Sequence, residues 1–370
     1  MLIPLVDLKA QHRRIAAELQ QRFARLFENT QFVLGEEVSS FEHEFARFSE
    51  VKHCVGVANG TDALEMMLRA VGIGNGDEVI VPVNSFIATA AAVVRAGAAP
   101  TFVDSDPATH LIHVQAVAQK INRRTKAILA VHLYGQMVPM EKLKVLADQA
   151  GVLLLEDAAQ AHGARRHNRG LANVGLTAAT SFYPSKNLGA YGDGGAVLTN
   201  SDDIAAAVRA LRNHGSETKC HHRLVGFNSR LDALQAVVLS AKLKHLSEWN
   251  EARRQAARRY DELLSDLDAV TLPVTLPGNE HVWHLYVVRV PQRDAVLRKL
   301  KEAGIGAAVH YLLPIHLQGA FKHLPYKRGD FPVAEAASDE VLSLPIFPEM
   351  TAEQQMYVVN ELQRSLSKVG

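Results

Sequence analysis

Short apolar runs that alternate with stretches of helical length set the strongest limit on what this chain can fold into. The runs fall at 53–57, 78–82, 100–103, 126–132, 152–156, 179–182 and 196–199, and helical patterns occupy 62–71, 87–97 and 139–150. Strands fed by helices make βαβ units and a mostly parallel sheet. The run at 152–155 has no polar alternation, as expected of a strand buried on both faces. The expected fold class is therefore α/β, with a mostly parallel seven-stranded sheet flanked by helices. An amphipathic helix at 13–28 precedes the sheet, with Ile15, Leu19, Phe23, Leu26 and Phe27 at helical spacing.

The pattern changes after residue 230. A helical stretch covers 231–267 with a division near Ser247, and a Pro/Gly-rich stretch, a strand at 282–290 and helices at 292–303 and 351–367 follow. A single core stops growing at roughly 250–300 residues, and this chain has 370. The pattern predicts a large domain at 1–247 and a smaller α+β domain at 248–370, with the first dozen residues returning to pack near the smaller one.

Charge and composition remove several function classes. Lys and Arg total 40 against 39 Asp and Glu, so no net field draws in nucleic acid or an acidic membrane. No window reaches the roughly 20 apolar residues of a membrane span. Pro4, Asp7 and Lys9 interrupt any signal-peptide core, and two cysteines, Cys54 and Cys220, suit a reducing compartment. The sequence is expected to be a cytoplasmic enzyme.

In open parallel sheets, ligands sit beyond the carboxyl ends of the strands. Three segments there carry chemistry. Asn59-Gly60-Thr61-Asp62 opens a helix after the first run. Such a start binds phosphate through free N–H groups, although Thr and Asp also make ordinary caps. Asp157 ends a buried run and needs a partner there. It could hold a protonated ring nitrogen, cap the next helix or bind a metal. Lys186 lies between an apolar strand and Gly192-Asp193-Gly194-Gly195. Partial desolvation would lower its pKa and suit it to Schiff-base formation. Together these are what a pyridoxal-phosphate enzyme needs: a phosphate cradle, an acid for the ring nitrogen and a lysine.

At this point the sequence resembles the DegT/StrS-type nucleotide-sugar aminotransferases, which have the fold type I, aspartate-aminotransferase-like architecture. The motifs NGTDAL, GDEVIVP, FIATA, HLYGQ, EDAAQAHGA, SFYPSKNLGAYGDGGA and NSRLDALQA carry the resemblance across nearly the whole chain. It implies pyridoxal 5'-phosphate as cofactor, in the PLP or PMP form. It makes Lys186 the Schiff-base lysine and proton shuttle, and Asp157 the partner of the pyridine nitrogen. Gln160 would contact the ring hydroxyl and Phe86 would stack on the ring. Gly60, Thr61 and Ser181 would hold the phosphate, and Asn228 would reach the neighbouring subunit's phosphate in a homodimer with shared active sites. Some members carry histidine at the lysine position and act as dehydratases; Lys186 argues for transamination here.

Segments in the C-terminal half, among them His310-Tyr311-Leu312-Leu313-Pro314, look most like the subgroup acting on dTDP-linked 3-keto-6-deoxyhexoses. The chain departs from that subgroup at Cys220, usually aromatic, and Leu312, usually proline. The expected reaction moves an amino group from L-glutamate to the keto-sugar in two half-reactions. A 4-keto-sugar, a 3-keto uronic acid nucleotide and a non-catalytic binding or regulatory member of the fold are the alternatives. Candidate substrate contacts are Tyr183, Lys219, His310 and Tyr311, with Lys219 or Arg223 serving the diphosphate. His310 and His316, six apart with a proline between, have poor spacing for zinc, and His281 with His284 lacks further ligands nearby, so no metal is expected.

Overall fold

The computed structural model describes residues 1–218 and 221–367. Seven strands form the central sheet: β1 (His53–Val57), β2 (Glu78–Pro82), β3 (Ala99–Val103), β4 (Thr125–Val131), β5 (Leu153–Asp157), β6 (Thr177–Ser181) and β7 (Gly195–Thr199). Their order is β1-β7-β6-β5-β4-β2-β3. Only β7 runs against its neighbours, β1 and β6. The register aligns Val131 with Asp157, Asp157 with Ala179, and Gly195 with both Ser181 and Val57. One edge of the sheet therefore carries the carboxyl ends of six strands and the start of β7.

Helices cover both faces because the strands are apolar on both. On one face lie α1 (Leu8–Asn29) and α2 (Glu36–Phe48), which contribute Ile15, Leu19, Phe41 and Phe45 to a core with Ile80, Ile128 and Leu198. On the other lie α3 (Gly60–Ala70) and α4 (Ala88–Arg95), which contribute Leu64, Met67, Ala92 and Val93 to a core with Val55, Val81, Leu129 and Val197. The cap of α1 comes from Asp7, whose carboxylate accepts from the Ala10 N–H at 3.0 Å, so that helix begins five residues before the hydrophobic pattern does.

The helical stretch after 230 divides into α5 (Ala233–Leu243) and α6 (Leu246–Leu264), with the break at Lys244 and His245 rather than at Ser247. Beyond it, α7 (Arg293–Glu302) and α8 (Ala352–Ser367) flank a two-stranded sheet of β8 (Tyr286–Arg289) and β9 (Val341–Leu344). A third core gathers Tyr260, Tyr286, Val288, Leu300, Leu342 and Val358 with Ile3 from the start of the chain. Ile3 forms a parallel bridge with Ile305, its N–H donating to Gly304 O at 2.9 Å and its carbonyl accepting from Gly306 at 2.7 Å. The strand expected over 282–290 is shorter than its apolar run. The N–H groups of Val282 and Leu285 donate to the carbonyls of Gly135 and Tyr134, at 3.0 and 3.3 Å, and the Val282 carbonyl accepts from Asn187 at 2.8 Å. Those backbone groups serve a loop contact, which leaves only four residues to pair with β9. Among the described residues, no helix is long and apolar enough to cross a membrane.

Candidate active site

A cavity of about 560 Å³ opens at the carboxyl edge of the sheet. The turn after β1 brings Gly60 and Thr61 to it, the turn after β2 brings Ser85 and Phe86, and the ends of β5 and β6 bring Asp157 and Ser181. The loop after β6 adds Tyr183 and Lys186, and the C-terminal half adds His284, His310 and Tyr311. Of the sequence-predicted site residues, Gly60, Thr61, Phe86, Asp157, Gln160, Ser181, Tyr183, Lys186, His310 and Tyr311 thus meet in one place. Asn228 is exposed and lies outside the cavity, opposite Asn213 in an isolated bridge. Lys219 and Cys220 lie outside the described residues. Arg223 is exposed and does not line the cavity.

The start of α3 is held against the end of β6. Asn59 caps the helix by accepting from the Asp62 N–H at 2.8 Å. A Cβ on Gly60 would sit 2.5 Å from Ser181 Cβ, so only glycine lets the two segments touch. Asp62 in turn accepts from the Ser229 hydroxyl at 2.8 Å. A helix start leaves N–H groups without intrahelical acceptors, and Gly60 and Thr61 present this one to the cavity. The arrangement suits a phosphate.

Asp157 and Glu156 are neighbours on a strand and point to opposite faces. Glu156 is fully buried and satisfied: it accepts from His132 Nε2 at 2.9 Å, Gly175 N at 3.0 Å and Ala172 N at 3.1 Å. Asp157 reaches the cavity. It accepts from the Thr89 hydroxyl at 2.7 Å and the Ala159 N–H at 3.2 Å. Thr89 is itself paired with the Ser85 hydroxyl at 2.7 Å. Burial raises the Asp157 carboxyl above the ordinary aspartate value, while the two hydrogen bonds and the Lys186 charge pull it back. A buried carboxylate in this state is completed by a cationic N–H donor.

Lys186 occupies the tip of a loop that folds back on itself. Its N–H donates to Tyr183 O at 2.9 Å, and the Ala190 N–H donates to Phe182 O at 2.7 Å. Burial lowers its ammonium from the ordinary 10.5 to about 8, against the opposing pull of Asp157. Burial, and then the Lys186 charge, pushes His162 down to about 3 and His310 to about 4. Among the described residues lining the cavity, Lys186 is the one lysine or arginine.

Gln160 has a fixed orientation. Its carbonyl accepts from the Tyr134 N–H at 2.6 Å, so its amide NH2 faces the Tyr311 hydroxyl at 2.9 Å and the cavity. Phe86 is 54% exposed, a large apolar ring with an open face, and stands 6.0 Å from the Tyr311 ring. The His310 ring is held by the Ser343 hydroxyl at 2.8 Å. The arrangement offers an amine nucleophile, a buried acid, an aromatic face and a phosphate cradle around one volume.

The sequence reading missed three contributors. Thr89 was within the FIATA motif, and its spacing of four from Ser85 was the available signal. Asp193 lines the cavity from the glycine-rich turn, and His284 lines it with an unpartnered, buried Nδ1. His281, by contrast, stacks on Trp283 at 3.9 Å and accepts from its N–H at 2.9 Å, a structural role.

Comparison with known proteins agrees with this geometry. Over 364 residues, 98% of each chain, the sequence is 45% identical to a protein of Geobacillus stearothermophilus named pleiotropic regulatory protein. It is 43% identical to the dTDP-3-amino-3,6-dideoxy-alpha-D-galactopyranose transaminase of Aneurinibacillus thermoaerophilus, across 98% of this chain and 99% of that one. The crystal structure of S. venezuelae DesV in complex with a ketimine intermediate superposes with a TM-score of 0.96 at 43% identity, covering 98% of both chains. Such a likeness extends over the whole fold type I architecture and not a single motif. Residues 13–363 match the DegT/DnrJ/EryC1/StrS family, and the chain belongs to that family of aminotransferases.

Proposed function

We propose that this protein is a pyridoxal-phosphate-dependent aminotransferase that moves an amino group from L-glutamate to a nucleotide-linked keto-sugar, with a dTDP-3-keto-6-deoxyhexose as acceptor and the 3-amino-3,6-dideoxyhexose as product. The observation that carries it is the meeting of Lys186 and Asp157 on one cavity beside the start of α3. The residues fit the cofactor. The Asp157 carboxylate is buried with acceptor capacity to spare, Phe86 offers an open ring face, and Gly60 and Thr61 end the cavity in a phosphate-type helix start. The transaminase relative supports the sugar class. Bound, the cofactor supplies an electron sink for the carbanion at the amino-bearing carbon.

The chain's own groups do the rest. Lys186 Nζ would hold the cofactor and, once free, would take the proton from the donor carbon and give it back at the other end of the transfer. A lowered pKa keeps a useful share of that amine neutral near pH 8. Asp157 keeps a ring nitrogen protonated, Thr89 orients Asp157, and Gln160 donates to the ring hydroxyl. Ser181 joins Gly60 and Thr61 at the phosphate. Tyr183, His310 and Tyr311 would contact the sugar.

The active form is a homodimer. The described lining offers the cofactor phosphate few donors of this chain beyond Gly60, Thr61 and Ser181, which leaves room for a donor from a partner. Asn228, exposed and outside its own cavity, reaches the partner's phosphate. We also assign residues 1–247 to the cofactor domain and 248–370 to the smaller one, and the cytoplasm as the compartment.

Absorbance of the purified protein tests the reading. A visible band that shifts to the ultraviolet on adding L-glutamate, and returns on adding the dTDP-3-keto-6-deoxyhexose with release of the amino sugar, is the expected result. Return with a 4-keto-sugar or a 3-keto uronic acid nucleotide alone would reassign the substrate. A protein that never takes up the cofactor would overturn the reading in favour of a regulatory one.

A further inference from the structure

Lys242, on α5, lies outside the cavity and is 1% exposed. Among the described residues its one hydrogen bond runs to the Gly189 carbonyl at 2.7 Å, and its ammonium stands 4.6 Å from the centre of the Tyr191 ring. A buried ammonium without a carboxylate is costly, and an apolar side chain would fill the same helix position with less penalty. Burial pushes its pKa down to about 7, so the amine serves what it touches as an N–H donor, and what it touches is the return arm of the Lys186 loop.

That arm is crowded with carbonyls. A Cβ on Gly189 would lie 2.3 Å from Pro184 O and 2.9 Å from Tyr183 O. Tyr183 O also receives the Lys186 N–H. The Tyr183 and Pro184 carbonyls thus close on the Gly189 Cα where the loop doubles back. The Lys242 amine holds the Gly189 carbonyl there, with the Tyr191 ring beside it. Tyr191 is fixed in turn by its N–H to Gln235 Oε1 at 2.8 Å and its hydroxyl to His12 Nδ1 at 2.7 Å. Helix α5 carries both Gln235 and Lys242, so one rigid element clamps the arm twice.

We propose that Lys242 is a positioning residue, a buried amine pin that donates to the Gly189 carbonyl and holds the Lys186 loop in the shape that presents the Lys186 amine to the cavity. It touches neither cofactor nor substrate. It acts through the Gly189 carbonyl and the Tyr191 ring. The inference rests on Lys186 being the reactive amine, so its test has one arm that needs no cofactor.

The experiment compares wild type, Lys242→Met and Val238→Ala, the last a buried apolar truncation on the same helix. Hydrogen exchange is read on the cofactor-free, full-length protein at the Lys186 and Ala190 amides, against amides of β4 and β5. In Lys242→Met the two loop amides should exchange up to about tenfold faster, the scale of one lost hydrogen bond, while the β4 and β5 amides hold. Val238→Ala should lower the melting temperature without that local signature. In a second arm, imine formation with added pyridoxal phosphate should slow by a similar factor in Lys242→Met only, and Lys242→Arg should recover part of it. Unchanged loop exchange in Lys242→Met would overturn the proposal, as would acceleration spread equally over the sheet. Failure of imine formation in the wild type would instead overturn the assignment of Lys186.

Discussion

At the residue scale, the site is built from groups whose ordinary protonation is altered by burial. Lys186→Ala should abolish turnover and the visible band together, which steady-state assay and absorbance both check. The lowered Lys186 pKa also has a stability consequence in the cofactor-free protein. Between pH 8 and 10.5 the unfolded chain still holds this proton and the folded chain has released it. The unfolded state then binds more protons, so stability rises with pH across that window. Against Lys186→Met, wild type should gain roughly 2–3 kcal/mol from pH 8 to 10.5 in urea unfolding. Asp157→Asn keeps shape and removes charge, and should lower the rate constant for the glutamate half-reaction by at least about a hundredfold. Lys186 and Asp157 were legible in the sequence because strand ends in a parallel sheet mark one edge. Thr89 was not, because its role depends on a contact 68 residues away that no local pattern records.

Elements carry the precision of the site. Gly60 sits where α3 meets β6, and the 2.5 Å approach to Ser181 leaves no room for a methyl group. Gly60→Ala should push the helix start off the strand end, lower the melting temperature by several degrees and weaken cofactor binding, which calorimetry and a cofactor titration would show. Beneath the sheet edge, Glu156 collects His132 and two backbone N–H groups. Glu156→Ala leaves those donors buried and unmet and should cost roughly 3–5 kcal/mol in denaturant unfolding, with the cavity residues untouched. The strands themselves were readable to within a residue or two from apolar runs. The 282–290 run misled because hydrophobicity reports burial and not pairing, and Val282 to Leu285 are buried against Tyr134 and Gly135 instead of a strand.

For the whole molecule, the proposed shared-site dimer makes a prediction that no single chain can satisfy. In a mixed dimer of Lys186→Ala and Asn228→Ala subunits, one site receives both defects and the other receives neither. Mixing the inactive Lys186→Ala with the weakened Asn228→Ala after reversible dissociation should restore roughly a quarter of wild-type activity, the share expected for random pairing. Additive activity without recovery would place Asn228 in its own subunit's site or in none.

The bridge from Ile3 to Ile305 has a temporal side. Ile3 pairs with a residue made about three hundred positions later, and the Ile346 N–H closes on Leu5 O later still, at 3.2 Å. At usual synthesis rates of about 5–20 residues per second, that wait lasts roughly 15–60 s. The large sheet has its strands in hand by then, while Ile3 remains an apolar residue without its slot. A nascent chain of this protein is therefore expected to need shielding around Ile3 long after the residues that form the sheet have been made.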